Sequence, residues 1–202
     1  MSKAAKWSIA LFLAMIPGLT FAESLINQIQ GLATVSPTVR GKFSQTKVLS
    51  GVSKKLNSEG FFIVDRNQGV LWVTEKPIYQ TLKVSTAGIR ISNKAGVLMN
   101  LDARNEPSIK YISELVLAIF SGDMVALEKL FNYSGDFTSK GWSLDLTPKN
   151  SSSVPFKKIS ISGDKAIGSI TFISKEGDLT EISFVDVLPA STLSKDEALQ
   201  FQ

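Results

Sequence analysis

The alternation of apolar and polar residues is most informative over residues 60–73, where it predicts a β-hairpin. Two runs of strand-forming residues flank a turn that is rich in Asp, Asn and Gly. Both alternating faces of the first strand are apolar, because Phe61 and Ile63 fall on one side and Phe62 and Val64 on the other. A sheet with one face in water alternates apolar with polar residues. We therefore expect both faces of this hairpin to be covered.

Further strands are predicted on both sides of this hairpin, at short spacing and separated by turn residues, which is typical of an antiparallel meander rather than of βαβ units. A loop is predicted over Ser50–Ser58. The other predicted strands are Val39–Leu49, Tyr79–Ser85, Ile89–Ser92, Val97–Leu101, Trp142–Thr147, Phe156–Ser162, Ala166–Ser174 and Leu179–Val187.

Helical periodicity interrupts the strands in the middle of the chain and appears again at both ends. A leading helix is predicted over Glu23–Thr34, and Ser194–Phe201 is either a short capped helix or a frayed tail. The strongest pattern is a nearly all-apolar helix that ends at Ser121-Gly122. Its apolar positions are Ile112, Leu115, Val116, Ile119 and Phe120. Asp123 is the predicted cap of a following helix whose apolar face carries Met124, Leu127, Leu130 and Phe131.

These elements predict a mainly β protein with helices, built on one antiparallel sheet of about nine to eleven strands. A sheet of that width curls, so we expect an incomplete (half) β-barrel rather than a flat layer. The apolar helices need a surface on which to be buried. We expect them to lie in or over the concave mouth, as a helical lid.

The first residues predict an export signal rather than part of the fold. A basic start with Lys3 and Lys6, an apolar run over Trp7–Ile16 and small residues up to Ala22 predict a secretory signal peptide over residues 1–22, cleaved after about Ala22. Residues 23–202 then form a single domain in the periplasm. Removing the signal peptide takes away two lysines and no acidic residue, so the net charge falls from +4 to +2. Such a small charge gives no indication of nucleic-acid binding.

The chemistry that the chain lacks narrows the function. It contains no histidine and no cysteine, so the usual neutral-pH base, the thiolate nucleophile and the disulfide are absent. No phosphate-binding loop and no metal-ligand spacing occurs, which predicts no cofactor and no metal. A Ser–Lys or paired-carboxylate enzyme stays open as the least favoured reading, since the sequence shows no nucleophile elbow.

Three short motifs occur in order and carry a family resemblance. Phe43-Ser44-Gln45-Thr46-Lys47 has the form F-x-Q-x-K. Gly60 is followed by an apolar strand, by Asp65-Arg66 and by a strand that reaches Trp72. The later strand that begins at Trp142 ends in L-T-P-K. Together they resemble the bacterial periplasmic lipoprotein carriers, the LolA-like family, over most of residues 36–187.

The resemblance implies a half-barrel with a helical lid over an apolar cavity, and carriage of acylated cargo from an inner-membrane exporter to an outer-membrane acceptor. It implies that Arg66 holds the lid shut through hydrogen bonds to the lid backbone. Val70 stands where the family has an aromatic residue at the entrance, and the chain stops soon after Val187, whereas the family has a further C-terminal strand. These departures suggest a divergent branch, of the kind associated with other lipids such as aryl-polyene lipids.

Three functions are therefore weighed: a monomeric carrier of a lipoprotein or lipid, a non-catalytic protein-interaction module of the cell envelope, and a lipid-acting enzyme. In the carrier, Arg66 is the gate and the five apolar positions of the central helix form the lid. The predicted cavity or entrance residues are Phe43, Phe62, Val64, Val70, Trp72, Leu82, Ile91, Leu98, Trp142 and Leu144. Phe61, Ile161, Phe172 and Phe184 are further candidates for the core or the cavity.

Overall fold

The computed structural model describes residues 25–32 and 36–201, which form one open antiparallel sheet and four helices. The helices are α1 (Leu25–Leu32), α2 (Pro107–Ser121), α3 (Met124–Leu130) and α4 (Lys195–Gln200). The strands are β1 (Thr38–Val48), β2 (Lys55–Asp65), β3 (Gly69–Lys76), β4 (Gln80–Ser85), β5 (Gly88–Asn93), β6 (Gly96–Asp102), β7 (Phe131–Thr138), β8 (Gly141–Pro148), β9 (Phe156–Gly163), β10 (Ile167–Ser174) and β11 (Leu179–Ala190).

The strand order places the first and last strands side by side at the middle of the sheet. The order is β6-β5-β4-β3-β2-β1-β11-β10-β9-β8-β7, so two meanders meet where β1 pairs with β11. β6 and β7 are the two edges. The α2–α3 segment joins these edges and crosses the face between them.

Ring distances on one face of the sheet show how strongly it curls. Trp72 of β3 and Phe184 of β11 lie three strands apart, which corresponds to about 14 Å in a flat sheet. Their ring centroids are only 6.0 Å apart. The sheet is therefore a half-barrel whose concave face holds the main core, as the sequence predicted.

That core joins the concave face to the helices. Buried Ile26 and Ile29 of α1 belong to it, and α1 contacts β7 and α3. From α2, Leu115 and Ile119 point into the same cluster, each 2% exposed. The predicted lid thus lies on the concave side.

The convex face of the β2–β3 hairpin is covered as well. Ile63, Leu71 and Val73 form a second buried cluster with Phe201, which follows α4. Ser194 and Glu197 cap α4 with a reciprocal pair of hydrogen bonds, so the predicted helix forms. Both faces of the hairpin are therefore buried, which confirms the expectation drawn from its two-sided apolar pattern.

Two predicted boundaries were wrong. Phe131 does not continue the apolar face of α3, because it opens β7, a strand that was not predicted. β2 begins at Lys55, inside the predicted loop Ser50–Ser58. The part of β2 that was predicted as loop is mostly polar and exposed, so it lacks the alternation that identifies a strand. β7 alternates Phe131, Tyr133 and Phe137 with polar residues, but Gly135 interrupts the apolar side and only Phe131 is buried. The predicted signal peptide lies outside the described residues.

Candidate ligand cavity beneath the helical lid

Five aromatic side chains from four strands and the lid meet on the concave face, and we call them the inner aromatic cluster. They are Phe43, Phe62, Trp72, Phe120 and Phe184. Phe43 stacks on Trp72 with ring centroids 3.8 Å apart. Phe120, near the end of α2, lies 5.5 Å from Phe62 and 5.8 Å from Phe184 between ring centroids. The lid helix therefore contacts the half-barrel through aromatic surface.

A cavity of about 110 Å³ lies beside this cluster, beneath the C-terminal end of α2. Its wall is mostly apolar, and Lys165 is its one charged lining residue within the described chain. The lining residues are Ile29, Val39, Phe62, Val64, Ile119, Phe120, Ser121, Gly122, Met124, Trp142, Lys165, Ala166, Ile167, Phe184, Val187 and Pro189. This wall has the chemistry to hold hydrocarbon.

The turn between β9 and β10 forms part of the rim and is held by a tryptophan. The indole Nε1 of Trp142 donates a hydrogen bond to the carbonyl oxygen of Asp164 at 2.9 Å. Trp142 is buried, so its ring lines the cavity while its polar edge fixes the turn. Lys165 is exposed at that turn. The rim is thus positioned by a directional bond.

The lid has a defined end and a hydroxyl with no partner. Gly122 ends α2 in the left-handed conformation, at φ 69°, and Asp123 caps α3 by accepting a hydrogen bond from the Ala126 backbone N–H at 2.9 Å. The Tyr111 hydroxyl donates to the carbonyl oxygen of Leu130 at 3.0 Å, and burial raises the pKa of that hydroxyl.

Ser113 is 1% exposed, and its hydroxyl has no hydrogen-bond partner among the described residues. Such a group makes the closed lid less stable than an apolar one.

The tip of the β2–β3 hairpin is organised by Asp65 rather than by Arg66. The buried Asp65 carboxylate accepts hydrogen bonds from the Thr38 hydroxyl at 2.9 Å and from the backbone N–H groups of Asn67 and Gln68. The backbone N–H of Arg66 donates to the carbonyl oxygen of Pro37 at 3.0 Å. The Arg66 side chain is exposed and makes no hydrogen bond or ion pair with another described residue. Its role as a gate stays a prediction.

The predicted site residues fall into three groups. Phe62, Val64, Trp142 and Phe184 line the cavity, as do Ile119 and Phe120 of the lid. The core around it takes in Phe43, Val70, Trp72, Leu82, Leu144, Leu115 and Val116, together with Ile161 and Phe172.

The third group lies away from the cavity and consists of Ile91, Ile112, Leu98 and Phe61. Phe61 packs on the convex cluster. Ile91 and Ile112 are half-buried. Leu98 is 58% exposed and its paired neighbours Val97 and Met99 are 50% and 47% exposed, because all three lie on the uncovered edge strand β6.

The cavity also has lining residues that the sequence did not mark as a site. Ile29 belongs to the predicted apolar periodicity of α1, so its burial could be predicted from the sequence. Its position in the cavity wall could not. Ala166 and Ile167 join the wall at the β9–β10 turn, and Val187 and Pro189 join it at the end of β11. Nothing in their local pattern distinguishes them from other strand ends, since only the curl of the sheet brings them to the mouth.

Within the described ranges, no group of residues is arranged to hold a metal ion. A search of the helices in the same part of the chain finds none with the length and hydropathy to span a membrane.

Comparisons with known proteins identify relatives. The family model "Outer membrane lipoprotein carrier protein LolA" matches residues 34–199. No curated protein matches the chain significantly.

Solved structures with a similar arrangement are distant. A LolA superfamily protein from Nitrosomonas europaea has 10% identity and a TM-score of 0.45, over 85% of this chain and 96% of that chain. A putative outer membrane lipoprotein-sorting protein domain from Vibrio parahaemolyticus has 11% identity and a TM-score of 0.46, over 88% and 97%. The MucA/MucB complex of Pseudomonas aeruginosa has 14% identity and a TM-score of 0.47, over 88% and 59%.

Proposed function

Because this chain belongs to the family of outer membrane lipoprotein carriers named after LolA, we propose that it is a periplasmic carrier of acylated cargo. Proteins of this family are periplasmic carriers, not enzymes. The cargo is a lipoprotein or a lipid, aryl-polyene lipids included, received from an inner-membrane exporter and passed to an outer-membrane acceptor. The observation that carries the proposal is the apolar cavity beneath Phe120 and Ile119.

The size of the cavity implies that the lid moves. Pockets that hold drug-sized ligands measure roughly 300–1,000 Å³, whereas this one measures about 110 Å³. An acyl chain therefore fits only if the side chains of α2 give up their places.

This exchange solves the problem of release. Burying an acyl chain contributes about 0.8 kcal/mol per CH₂, so a chain that entered an empty, water-filled cavity would bind too tightly to be passed on. Here the buried Leu115 and Ile119 already occupy the concave face. The net affinity is then the difference between two burials, and a small change in lid stability shifts it.

Cargo identity is tested first on the wild-type protein. Organic extraction of protein purified from the periplasm, followed by mass spectrometry, is expected to yield a stoichiometric acylated molecule, which then competes with a fluorescent fatty-acid probe. A protein that carries no lipid and binds no probe would contradict the carrier and favour the interaction module. Turnover of a lipid that depends on one Ser, Lys or Asp would favour the enzyme.

The lid is tested by Phe120→Ala. Phe120 contacts three rings of the inner aromatic cluster, so its loss weakens closure by about 1–2 kcal/mol and tightens probe binding about tenfold. Val125→Ala, on the exposed side of α3 at 50% exposure, is the matched control and leaves binding unchanged. Equal affinities for Phe120→Ala and wild type would mean that α2 does not compete with the ligand.

The gate predicted from the family is tested separately by Arg66→Leu. If Arg66 holds the lid shut, the variant retains cargo longer than the wild type in a stopped-flow release assay. Release at the wild-type rate would remove Arg66 from gating and leave closure to the inner aromatic cluster. Neither outcome alters the test of the cavity itself.

A further inference from the structure

A group of exposed apolar side chains lies at one end of the sheet, and we call it the edge patch. It consists of Ile78, Tyr79, Val97, Leu98 and Met99. Ile78 is 75% exposed, the highest value among the large hydrophobic residues of the described chain. Scattered exposed apolar residues are normal, but a contiguous group marks a surface that is covered by a partner.

The patch is continuous because two neighbouring hairpins end at the same level. Thr81 at the start of β4 pairs with Ser92 at the end of β5, so the β3–β4 and β5–β6 turns lie next to each other. Lys94 of the second turn confirms this, because its ammonium lies 5.4 Å from the ring centroid of Tyr79 in the first. The exposed residues of β6 follow directly.

The edge strand itself is poorly suited to accept another strand. The register shift between Ile91 and Ser92 places a bulge in β6 and leaves Leu98 without a partner across the ladder. Bulges are a device that blunts sheet edges against pairing. Neither of the two described cavities is lined by a residue of the patch. The patch therefore offers protruding side chains rather than a ladder or a groove.

The charges around the patch fit a surface with anionic headgroups. Lys76 and Lys94 flank the apolar residues, and Lys54 and Lys55 project from the neighbouring β1–β2 hairpin. Glu59 and Glu75 are the acids on these hairpin ends, and Glu59 is paired with Lys76 at 2.6 Å. Apolar tips, a tyrosine and lysines are the combination that lies at a membrane interface.

We propose that the edge patch docks the protein on a phospholipid surface that carries anionic headgroups. Ile78 and Leu98 insert among the acyl chains near the headgroups, and Lys76 and Lys94 contact the phosphates. β3 and β4 run from the cavity, near Val64, to the patch at their other end. A docked protein thus keeps its cavity mouth turned away from the bilayer, where a protein partner reaches it.

Vesicle flotation tests the proposal with the purified full domain. We expect binding to phosphatidylcholine vesicles that contain one-third phosphatidylglycerol, and less binding to phosphatidylcholine alone or in high salt. Ile78→Ser combined with Leu98→Ser is expected to weaken flotation by about tenfold. Leu199→Ser, which removes an apolar side chain of 63% exposure on α4, is the matched control. Lys76→Gln with Lys94→Gln is expected to remove the preference for anionic vesicles.

Flotation that is absent for the wild type, or unchanged in the double serine variant, overturns the proposal. A wild-type dimer that becomes a monomer in that variant by light scattering also overturns it, because the patch then binds a second copy. Urea midpoints and probe displacement, measured on the same samples, keep this result separate from the carrier function. A protein that binds the probe but not the vesicles is a carrier without the docking surface.

Discussion

The two faces of the β2–β3 hairpin are both buried, yet they are covered in different ways. On the concave face, Phe62 and Trp72 meet Phe120 of the lid through ring contacts that can exchange for another apolar surface. On the convex face, α4 is fastened by directional bonds as well as by Phe201. The Arg40 guanidinium donates to both carboxylate oxygens of Glu197 at 2.5 Å.

Further polar contacts anchor the convex cover at its two ends. Arg40 also donates to the carbonyl oxygen of Thr192 at 2.8 Å, and the Lys83 ammonium donates to the carbonyl oxygen of Phe201. One face of the hairpin is therefore covered through apolar ring contacts, whereas the helix on the other face is also held by ion pairs and hydrogen bonds. Apolar contacts stabilise a covering helix without fixing its orientation. Ion pairs and backbone hydrogen bonds are directional, so they also fix its position.

The largest expected effect comes from a substitution in the inner aromatic cluster on the concave face. Phe62→Ala removes a side chain of 2% exposure at the centre of the inner aromatic cluster, so the free energy of unfolding falls by about 3–5 kcal/mol. Urea unfolding followed by fluorescence measures it. Phe137→Ala, at 40% exposure on the edge strand β7, is the control and costs less than about 1 kcal/mol. Equal losses would mean that the cluster is not the centre of the core.

The convex side gives a smaller effect that depends on pH. The ion pair with Arg40 lowers the pKa of Glu197 from 4.5 to about 2. Stability from this pair is therefore complete above pH 4.5 and is lost as the pH falls towards 2. Glu197→Gln keeps an acceptor for the cap at Ser194 but removes the charge, so it costs about 1–2 kcal/mol at pH 7. The difference in free energy of unfolding between the variant and the wild type disappears as the pH falls towards 2. Urea titrations at a series of pH values would measure it.

The control for this pH dependence is an exposed ion pair. Asp186→Asn removes the partner of Lys42, where the two side chains are 62% and 68% exposed. Exposed pairs contribute about 0–1 kcal/mol, so this variant stays close to wild type at every pH. A Glu197→Gln variant whose gap to wild type is constant with pH would show that the bond to Arg40 does not hold α4.

The smallest expected effect is an increase in stability, from a substitution in the lid helix α2. Ser113→Ala removes a buried hydroxyl without a described partner, so the free energy of unfolding rises by about 1 kcal/mol. A firmer lid also weakens probe binding. Ser121→Ala is the control, because that hydroxyl has an acceptor in Ala118 at 3.4 Å. A destabilised Ser113→Ala variant would mean that the hydroxyl is satisfied in solution.

Much of the fold was readable because the strands of the hairpin and its neighbours alternate cleanly. The apolar Phe61 and Ile63 required a second cover, but the capping residues Ser194 and Glu197 predicted only that a short helix could form, and not that it covers this face. β7 was not predicted, although Phe131, Tyr133 and Phe137 alternate with polar residues, because Gly135 interrupts that alternation. Its buried first residue then matched the spacing of the preceding helix.

Less of the site than of the fold could be predicted from the sequence. Phe62, Val64 and Trp142 follow from alternation. The exposure of Leu98 follows from no local signal, since it depends on β6 being an uncovered edge of the sheet. The position of the Arg66 side chain relative to the lid depends on how far the lid sinks into the half-barrel. That depth is a property of packing between distant segments, which no spacing of residues along the chain records.

The pairing of β1 with β11 has a consequence for the order in which the domain assembles. The registers Phe43 with Phe184 and Gln45 with Ile182 join residues about as far apart along the chain as the sheet permits. Contacts of such long range form late and slowly. Until β11 is in place, the polypeptide can form only two separate half-sheets. The wall of the cavity draws residues from both half-sheets and from β11, so the hydrocarbon-lined interior is completed only when the last strand pairs with the first.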